Sequence, residues 1–328
     1  MVSKQGPSSP QRVLVTGASG FVGSALVGKL KRRSFNVLAQ YRSSGRSNGA
    51  GCEEICVTAI DAQTDWAPLL SGIDVVVHCA ARVHVMNETT ADPLEAFREI
   101  NVEGTLKLAR EAAAAGARRF IYLSSIKVNG EQTAEVPFSA DDSCRPTDPY
   151  GLSKWEAEKG LLHLAATVAM DVVIVRPPLI YGPGVKANFL KMMSWVDKGI
   201  PLPLGLVKNQ RSLVGLDNLT DFLIHCIDHP AAANQVFLVS DGEDLSTPEL
   251  LRKVAGALGK PARLLPFPSG LLLGMACLLG KQAEVGRLCG SLRVDIDKNK
   301  NLLGWNPHSS VADELMRTVA DYRERGSR

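Results

Sequence analysis

What this chain lacks narrows the reading first. No apolar run is long enough to cross a bilayer: the longest, residues 270–280, falls well short of the ~20 residues that a membrane helix needs. The opening stretch MVSKQGPSSPQR has no apolar core, which argues against a signal peptide and predicts a disordered tail over residues 1–11. Seven cysteines are scattered without a single Cys-x-x-Cys, and Cys52 and Cys56 have no histidine pair to complete a zinc site. That odd, unframed set points to a reducing compartment and a cytoplasmic protein. The net charge of +3 is too small for a nucleic-acid surface, and the basic clusters at Lys29 to Arg33 and at Arg118-Arg119 close predicted helices, where they complement the helix dipole. No histidine pair suits a metal. His225 and His229 share a helix face, but Pro230 ends that helix beside them.

What is present is an ordinary globular balance, 45% hydrophobic and 22% charged, in 328 residues, which is room for two lobes. The chain opens with RVLVTGASGFVGSALVGKLKRR: a short apolar strand, a glycine turn, then helical periodicity. Gly17 permits the tight turn, Gly20 lets backbone approach a pyrophosphate, and Gly23 allows close helix–strand packing, with the phosphates on the helix N-terminus. The spacing G-x-x-G-x-x-G only approximates the general dinucleotide pattern. The second strand, residues 35–41, ends without the acidic residue that usually meets a ribose 2′-hydroxyl. Arg42 and Arg46 follow it, and a guanidinium suits a 2′-phosphate, so NADP(H) is favoured with NAD left open.

Further strands are predicted at 54–60, ending at Asp61, at 74–79, at 119–124 and at 170–175, with a long helix over 93–115 stopped by Gly116. Near-continuous apolar strands alternating with helices imply an α/β fold, a Rossmann-type doubly wound parallel sheet. Its body spans residues 12–175. After Arg176-Pro177-Pro178 the alternation weakens, which predicts a smaller C-terminal substrate lobe over 176–328, with 217–239 returning to the main sheet. Within that lobe residues 205–214 read as a hairpin or loop pair, and 218–229 and 247–259 as helices.

The fifth strand delivers Ser124-Ser125 at its C-terminal end, where open α/β sheets place ligands. Asp148-Pro149-Tyr150-Gly151-Leu152-Ser153-Lys154 then opens a helix that carries Tyr150 and Lys154 on one face. A phenol normally holds its proton to about pH 10; a nearby ammonium would lower that and make the pair an acid/base for an alcohol oxygen. A serine hydroxyl at Ser125 could donate to the same oxygen.

Taken in order, TGASGFVG, Asp61, HCAA, Asn101-Val102-x-Gly104-Thr105, SSIKVNG, PYGLSK and RPPLIYGPG resemble the extended short-chain dehydrogenase/reductases, nearest to sugar-nucleotide epimerases, dehydratases and 4-keto reductases, over roughly residues 12–320. That resemblance implies that Tyr150 is the catalytic acid/base, that Lys154 lowers its pKa and holds the nicotinamide ribose, and that Ser125 binds the reacting oxygen. It implies that Gly17, Gly20 and Gly23 carry the pyrophosphate with Phe21 and Val22, that Asp61 contacts the adenine, that Ala80 and Ala81 line the cofactor, and that Asn101 is the structural asparagine near the site. In the smaller lobe Asn188, with Phe189, and Arg211 match positions that hold a nucleotide diphosphate, and such enzymes commonly dimerise through the helices that are here 93–115 and 150–166. The implied partners are a UDP-sugar and a second copy of the chain, with no nucleic acid and no membrane insertion.

Two departures bear on the reaction. A dehydratase of this family places Asp-Glu after its active-site Ser/Thr; here Ile126-Lys127 supply no carboxylate. The epimerase pattern ends Val-Tyr-Gly, against Val128-Asn129-Gly130 here, so Lys127 and Asn129 stand where contacts to the substrate vary. On these grounds the sequence favours NADPH-dependent reduction of a UDP-4-keto-6-deoxy-N-acetylhexosamine for surface polysaccharide (O-antigen) synthesis. Two alternatives stay open: 4-epimerisation of a UDP-hexose or UDP-N-acetylhexosamine with retained NAD, and reduction of a steroid- or flavonoid-like ketone.

Overall fold

A computed structural model describes residues 11–43, 51–83, 92–278, 280 and 282–326; Arg46 and most of the expected N-terminal tail lie outside them. The first half alternates as the periodicity predicts: β1 (Arg12–Thr16), α1 (Phe21–Arg32), β2 (Asn36–Tyr41), β3 (Glu53–Cys56), β4 (Val75–His78), α2 (Pro93–Arg98), α3 (Thr105–Ala114), β5 (Arg119–Leu123), α4 (Pro149–Ala165) and β6 (Asp171–Arg176). The chain continues through β7 (Leu179–Tyr181), α5 (Ala187–Asp197), β8 (Leu213–Gly215), α6 (Leu216–Asp228), β9 (Gln235–Leu238), α7 (Thr247–Ala257), α8 (Ser269–Leu278), α9 (Gln282–Cys289), α10 (Asp297–Leu303) and α11 (Val311–Gly326).

Seven strands form one sheet in the order β3-β2-β1-β4-β5-β6-β9. The pairs from β3 through β6 are all parallel, in registers such as Val13↔Val37 and Val13↔Val75. Strand order reverses beside β1, so the crevice at the C-terminal ends of β1 and β4 is where this topology seats a ligand. Buried on both faces, the central strands supply Leu14, Val76, Phe120, Tyr122, Val172 and Ile174 to one core with Leu108 and Leu161 of the helices. The fold class is the one read from the sequence, a Rossmann-type α/β sheet. β9 joins it beyond β6.

Three expectations change. The strand expected over 54–60 stops at Cys56, because after Val57 N donates to Tyr41 O the chain leaves the edge, where Glu53, Glu54 and Cys56 face solvent. The single helix expected over 93–115 is broken by a π-helical turn at Glu99–Gly104. There a Cβ on Gly104 would fall 2.5 Å from Ile60 O, so the wide turn and the missing side chain together let the helix lie against the Ile60-Asp61 backbone. Of the hairpin or loop pair expected over 205–214, the hairpin is absent and loop remains up to β8, which pairs in parallel with β7, Leu179↔Leu213, its strand partner coming from upstream.

The chain divides into two compact units. One comprises Met1–Val128, Cys144–Arg176 and Thr220–Phe237, the other Asn129–Ser143, Pro177–Leu219 and Leu238–Arg328. Asn129–Ser143 therefore goes with the second unit, where Phe138 bridges to Val294; the sequence reading had kept it in the first. In the second unit Tyr181 Oη donates to Asp241 Oδ2 at 2.7 Å. Asp241 Oδ1 accepts from Gly215 N and Asn218 Nδ2, so one buried carboxylate ties the β7–β8 pair to the start of α6.

Candidate active site

The glycine turn is built by close approach. Gly17 has φ +67°, and a Cβ there would meet Ala80 N at 2.8 Å; one on Gly23 would meet Gly17 O at 2.2 Å. Gly17 N donates to Gln40 Oε1, and Gly20 N to Gly17 O at 2.8 Å. Ser19 and Gly20 stay exposed at the start of α1, Phe21 is half-buried and Val22 buried. The turn thus presents the N-terminus of α1, a cradle fit for a pyrophosphate. Ala80 and Ala81 follow β4 half-buried on its other side.

Asp61 closes the third strand's loop: Oδ1 accepts from Gln63 N at 2.9 Å and from the Thr64 hydroxyl at 3.0 Å. Arg42 is exposed beyond β2, near the chain's edge. Asn101, buried in the π-helical turn, accepts from Arg82 N at 2.8 Å and donates to Arg82 O and Ser153 Oγ. It therefore links the exit of β4 to α4.

At the end of β5 lie Ser125 and the carbonyl that Lys154 of α4 meets, and the first turn of α4, which carries Tyr150, packs on the turn that follows Ser125. Asp148 caps that helix, its Oδ1 accepting from Gly151 N at 2.6 Å, with Pro149 in the first turn. Lys154 is 1% exposed, and its Nζ donates to Leu123 O at 2.8 Å and lies 4.2 Å from the Tyr122 ring centre. Ser125 caps the one-turn helix Ile126–Val128, with Lys127 N donating to its Oγ at 3.3 Å. A Cβ on Gly151 would stand 2.9 Å from Lys127 O, so this turn packs directly on the first turn of α4. Tyr150 is half-buried, with the Phe97 ring edge-on at 5.9 Å.

The electrostatics differ from the sequence expectation. Burial, and then the Asp148 carboxylate, push the Tyr150 phenol well above its ordinary value. Burial drives Lys154 down to about 7, partly countered by Glu158. The lysine is directed at the strand carbonyl and the Tyr122 ring, and the lowering of Tyr150 expected from an adjacent ammonium is not found.

Lys127 and Asn129, read as contacts to substrate, are engaged within the protein. Lys127 Nζ pairs with Asp148 Oδ2, and buried Asn129 donates from Nδ2 to Ser139 O at 2.9 Å, anchoring the following loop. In the second unit Asn188 is exposed in the first turn of α5. Arg211 donates from Nη1 to Arg287 O at 2.8 Å and to Gly290 O at 3.0 Å, and the Arg287 guanidinium is near enough to depress its pKa alongside burial. Two arginines side by side make a cationic point that the sequence reading found only in half.

His78 was also missed as more than part of HCAA. It is buried, its Nδ1 2.7 Å from Thr16 Oγ1 and Nε2 3.0 Å from Thr105 Oγ1, and burial holds its pKa at about 3. A neutral imidazole here braces β1, β4 and α3 beneath the glycine turn. Asp148 could have been found, since Asp-Pro ahead of a helical pattern is a start signal.

A glycine-turn Rossmann unit with Ser125 at the end of β5 and Tyr150 and Lys154 on α4 is the make-up of a short-chain dehydrogenase/reductase. The chain belongs, more narrowly, to the NAD dependent epimerase/dehydratase family, which it matches over residues 13–240, and is an enzyme of that family. It is 47% identical to a UDP-glucose 4-epimerase of Vibrio cholerae over 323 residues, 97% of this chain and 98% of the relative. A 3-beta-hydroxysteroid dehydrogenase of Mycolicibacterium neoaurum is 32% identical over 76% of this chain and 70% of its own. Among solved structures, MoeE5 in complex with UDP-glucose and NAD superposes with a TM-score of 0.75 at 24% identity, covering 97% of this chain and all of that one (100%), a likeness of fold.

Proposed function

We propose that the protein interconverts the C4 epimers of a UDP-hexose or UDP-N-acetylhexosamine. The observation that carries this is end-to-end similarity, at 47% identity, to a UDP-glucose 4-epimerase, joined to Ser125 at the end of β5 and Tyr150 and Lys154 on α4. Reduction of a 4-keto sugar, the reading the sequence favoured, uses the same residues and becomes the second outcome of the test. The steroid relative is more distant and covers less of the chain.

A bound nicotinamide dinucleotide supplies reversible hydride acceptance at the sugar's C4. The chain's own work is positional. Ser125 Oγ donates to the C4 oxygen while Tyr150 Oη takes the hydroxyl proton and later returns it. Lys154, one turn beyond Tyr150 on the same helix, would meet the ribose. Buried as it is, it costs little reorganisation when the ribose arrives. Arg211, beside Arg287, and the amide of Asn188 suit a diphosphate by charge and by donor geometry. Oxidation followed by return of the hydride to the opposite face leaves no net redox change, and the absence of a carboxylate at Ile126-Lys127 removes the base a dehydratase would use.

The test offers purified protein UDP-glucose and UDP-N-acetylglucosamine without added reductant, and separately NADPH with a UDP-4-keto-6-deoxy-N-acetylhexosamine. The galacto product from the first incubation supports epimerisation. Loss of NADPH absorbance at 340 nm with the keto sugar, and no epimer in the first, would replace it with the reductase.

A further inference from the structure

We propose that Lys127 is a positioning residue for Tyr150: its ammonium offsets the Asp148 carboxylate that caps α4 two residues ahead of the phenol, while its backbone holds Ser125. The inference rests on the reading of Tyr150 as the proton carrier and adds a residue to it. Two separate contacts meet in one side chain and its amide. Lys127 Nζ pairs with Asp148 Oδ2, and Lys127 N donates to Ser125 Oγ at 3.3 Å. Asp148 Oδ1 meanwhile accepts from Gly151 N at 2.6 Å, so the same carboxylate holds the helix that presents Tyr150. The lysine and aspartate side chains are 22% and 18% exposed, shielded enough that water screens the pair incompletely.

A plain helix cap does not need this arrangement. Asn, Ser or Thr caps as well as Asp, and none of them sets a charge beside the phenol. Asp148 is the charged group that adds to burial in raising Tyr150. The other charges around the tyrosine are already matched or lie farther along its helix. On α4, Glu156 is held by Arg98 of α2 through two hydrogen bonds at 2.7 and 2.8 Å, and Glu158 by Arg176 of β6 at 2.6 Å. Lys154 faces Leu123 O, Tyr122 of β5 is raised far above its ordinary value and stays neutral, and Arg82 stands behind the Phe97 ring. Losing Lys127 would therefore leave Asp148 acting on the phenol with less opposition, and the proton would be held to higher pH.

Four variants test this: Lys127→Met, Lys127→Arg, Asp148→Asn, and Lys127→Met combined with Asp148→Asn. The acidic limb of the kcat/KM profile with UDP-glucose should move up by roughly one pH unit in Lys127→Met, with about tenfold less turnover at pH 7 and recovery above the new limb. Lys127→Arg should behave as wild type, Asp148→Asn alone should move the limb down, and the double variant should return it to near its original place. A tether without an electrostatic role predicts unshifted profiles and no rescue, which would overturn the proposal even if a single variant folds poorly. A second readout needs no sugar: tyrosinate absorbance at 295 nm in NAD⁺-loaded protein, referenced to Tyr150→Phe, should show the same order of shifts. If wild type epimerises no UDP-sugar yet this titration shifts and is rescued, the functional reading fails and the role of Lys127 stands. If turnover is present and neither readout moves, Lys127 is only a brace.

Discussion

Both units bury charged side chains, and one from each, Lys154 in the first and Glu314 in the second, are treated differently. In the first unit Lys154 has a carbonyl, an aromatic face and Glu158 around it. In the second, Glu314 of α11 lies under β8, so close that a Cβ on Gly215 would stand 2.4 Å from its Cγ. Its Oε1 meets Arg317 at 3.1 Å, while Oε2 has no hydrogen bond among the described residues. Burial pushes Glu314 up to about 6 and Lys154 down to about 7. The glutamate's burial serves packing, because it seats α11 on a glycine. The lysine's sits at the end of β5, on the helix whose first turn carries Tyr150, and a cost carried at such a place marks function.

The sharpest way to break that contrast is Lys154→Met. If the lysine is kept for chemistry, the variant should lose turnover by 100-fold or more on the order of a general-acid/base deletion, and cofactor-free protein should melt a few degrees higher. A Tm below wild type would mean that the hydrogen bond to Leu123 O outweighs burial of the charge. That would sink the reading of Lys154 as a held cost.

How much of this was legible beforehand follows the same division. In the first unit, period and glycine spacing carried the information: Arg12–Thr16 with Gly17, Gly20 and Gly23 fixes the turn, and Asp-Pro-Tyr fixes the start of α4. The π-helical turn at Glu99–Gly104 was not legible, because its cause is a contact with Ile60 that periodicity does not contain. The side-chain partners of Lys127 and Asn129 were hidden for a like reason. A loop residue's neighbours come from other segments of the chain, Asp148 in one case and Ser139 in the other. In the second unit β7 and β8 have three residues each and pair across more than thirty, too short for any pattern to announce.

A smaller effect comes from pH. A glutamate whose folded pKa is raised is more protonated folded than unfolded, so its contribution to stability falls as pH climbs from about 4.3 to about 6. A lysine whose folded pKa is lowered is less protonated folded, so its penalty is full below about 7 and fades as pH rises toward the unfolded value near 10.4. Together they place the largest combined penalty between pH 6 and 7. Glu314→Gln should then raise stability by about 2 kcal/mol at pH 7 and by much less at pH 4, measured by denaturant melts. A difference equal at both pH values would show that packing of the amide, and not charge, decides the outcome.

The smallest expected effect tests a charge of the opposite kind, one left in water. Arg42 is exposed at the end of β2, and an exposed guanidinium is well solvated, so a 2′-phosphate gains modestly from it. We expect wild type to bind NADP(H) over NAD(H) by roughly threefold to tenfold at low salt, narrowing as ionic strength rises and the charges are screened. Arg42→Asp should reverse the order, since a carboxylate repels the phosphate and can accept from a ribose 2′-hydroxyl. Fluorescence titration of the reduced cofactors reads both constants in one protein. Tighter NAD(H) binding by wild type, or a preference unmoved by the substitution, would assign 2′ recognition to other groups and leave Arg42 a solvated residue at the sheet's edge. Either result also sets the scale for the buried pair: an exposed charge should shift affinity by a factor that salt removes, whereas the effect of Lys154, shielded from water, should persist at high salt.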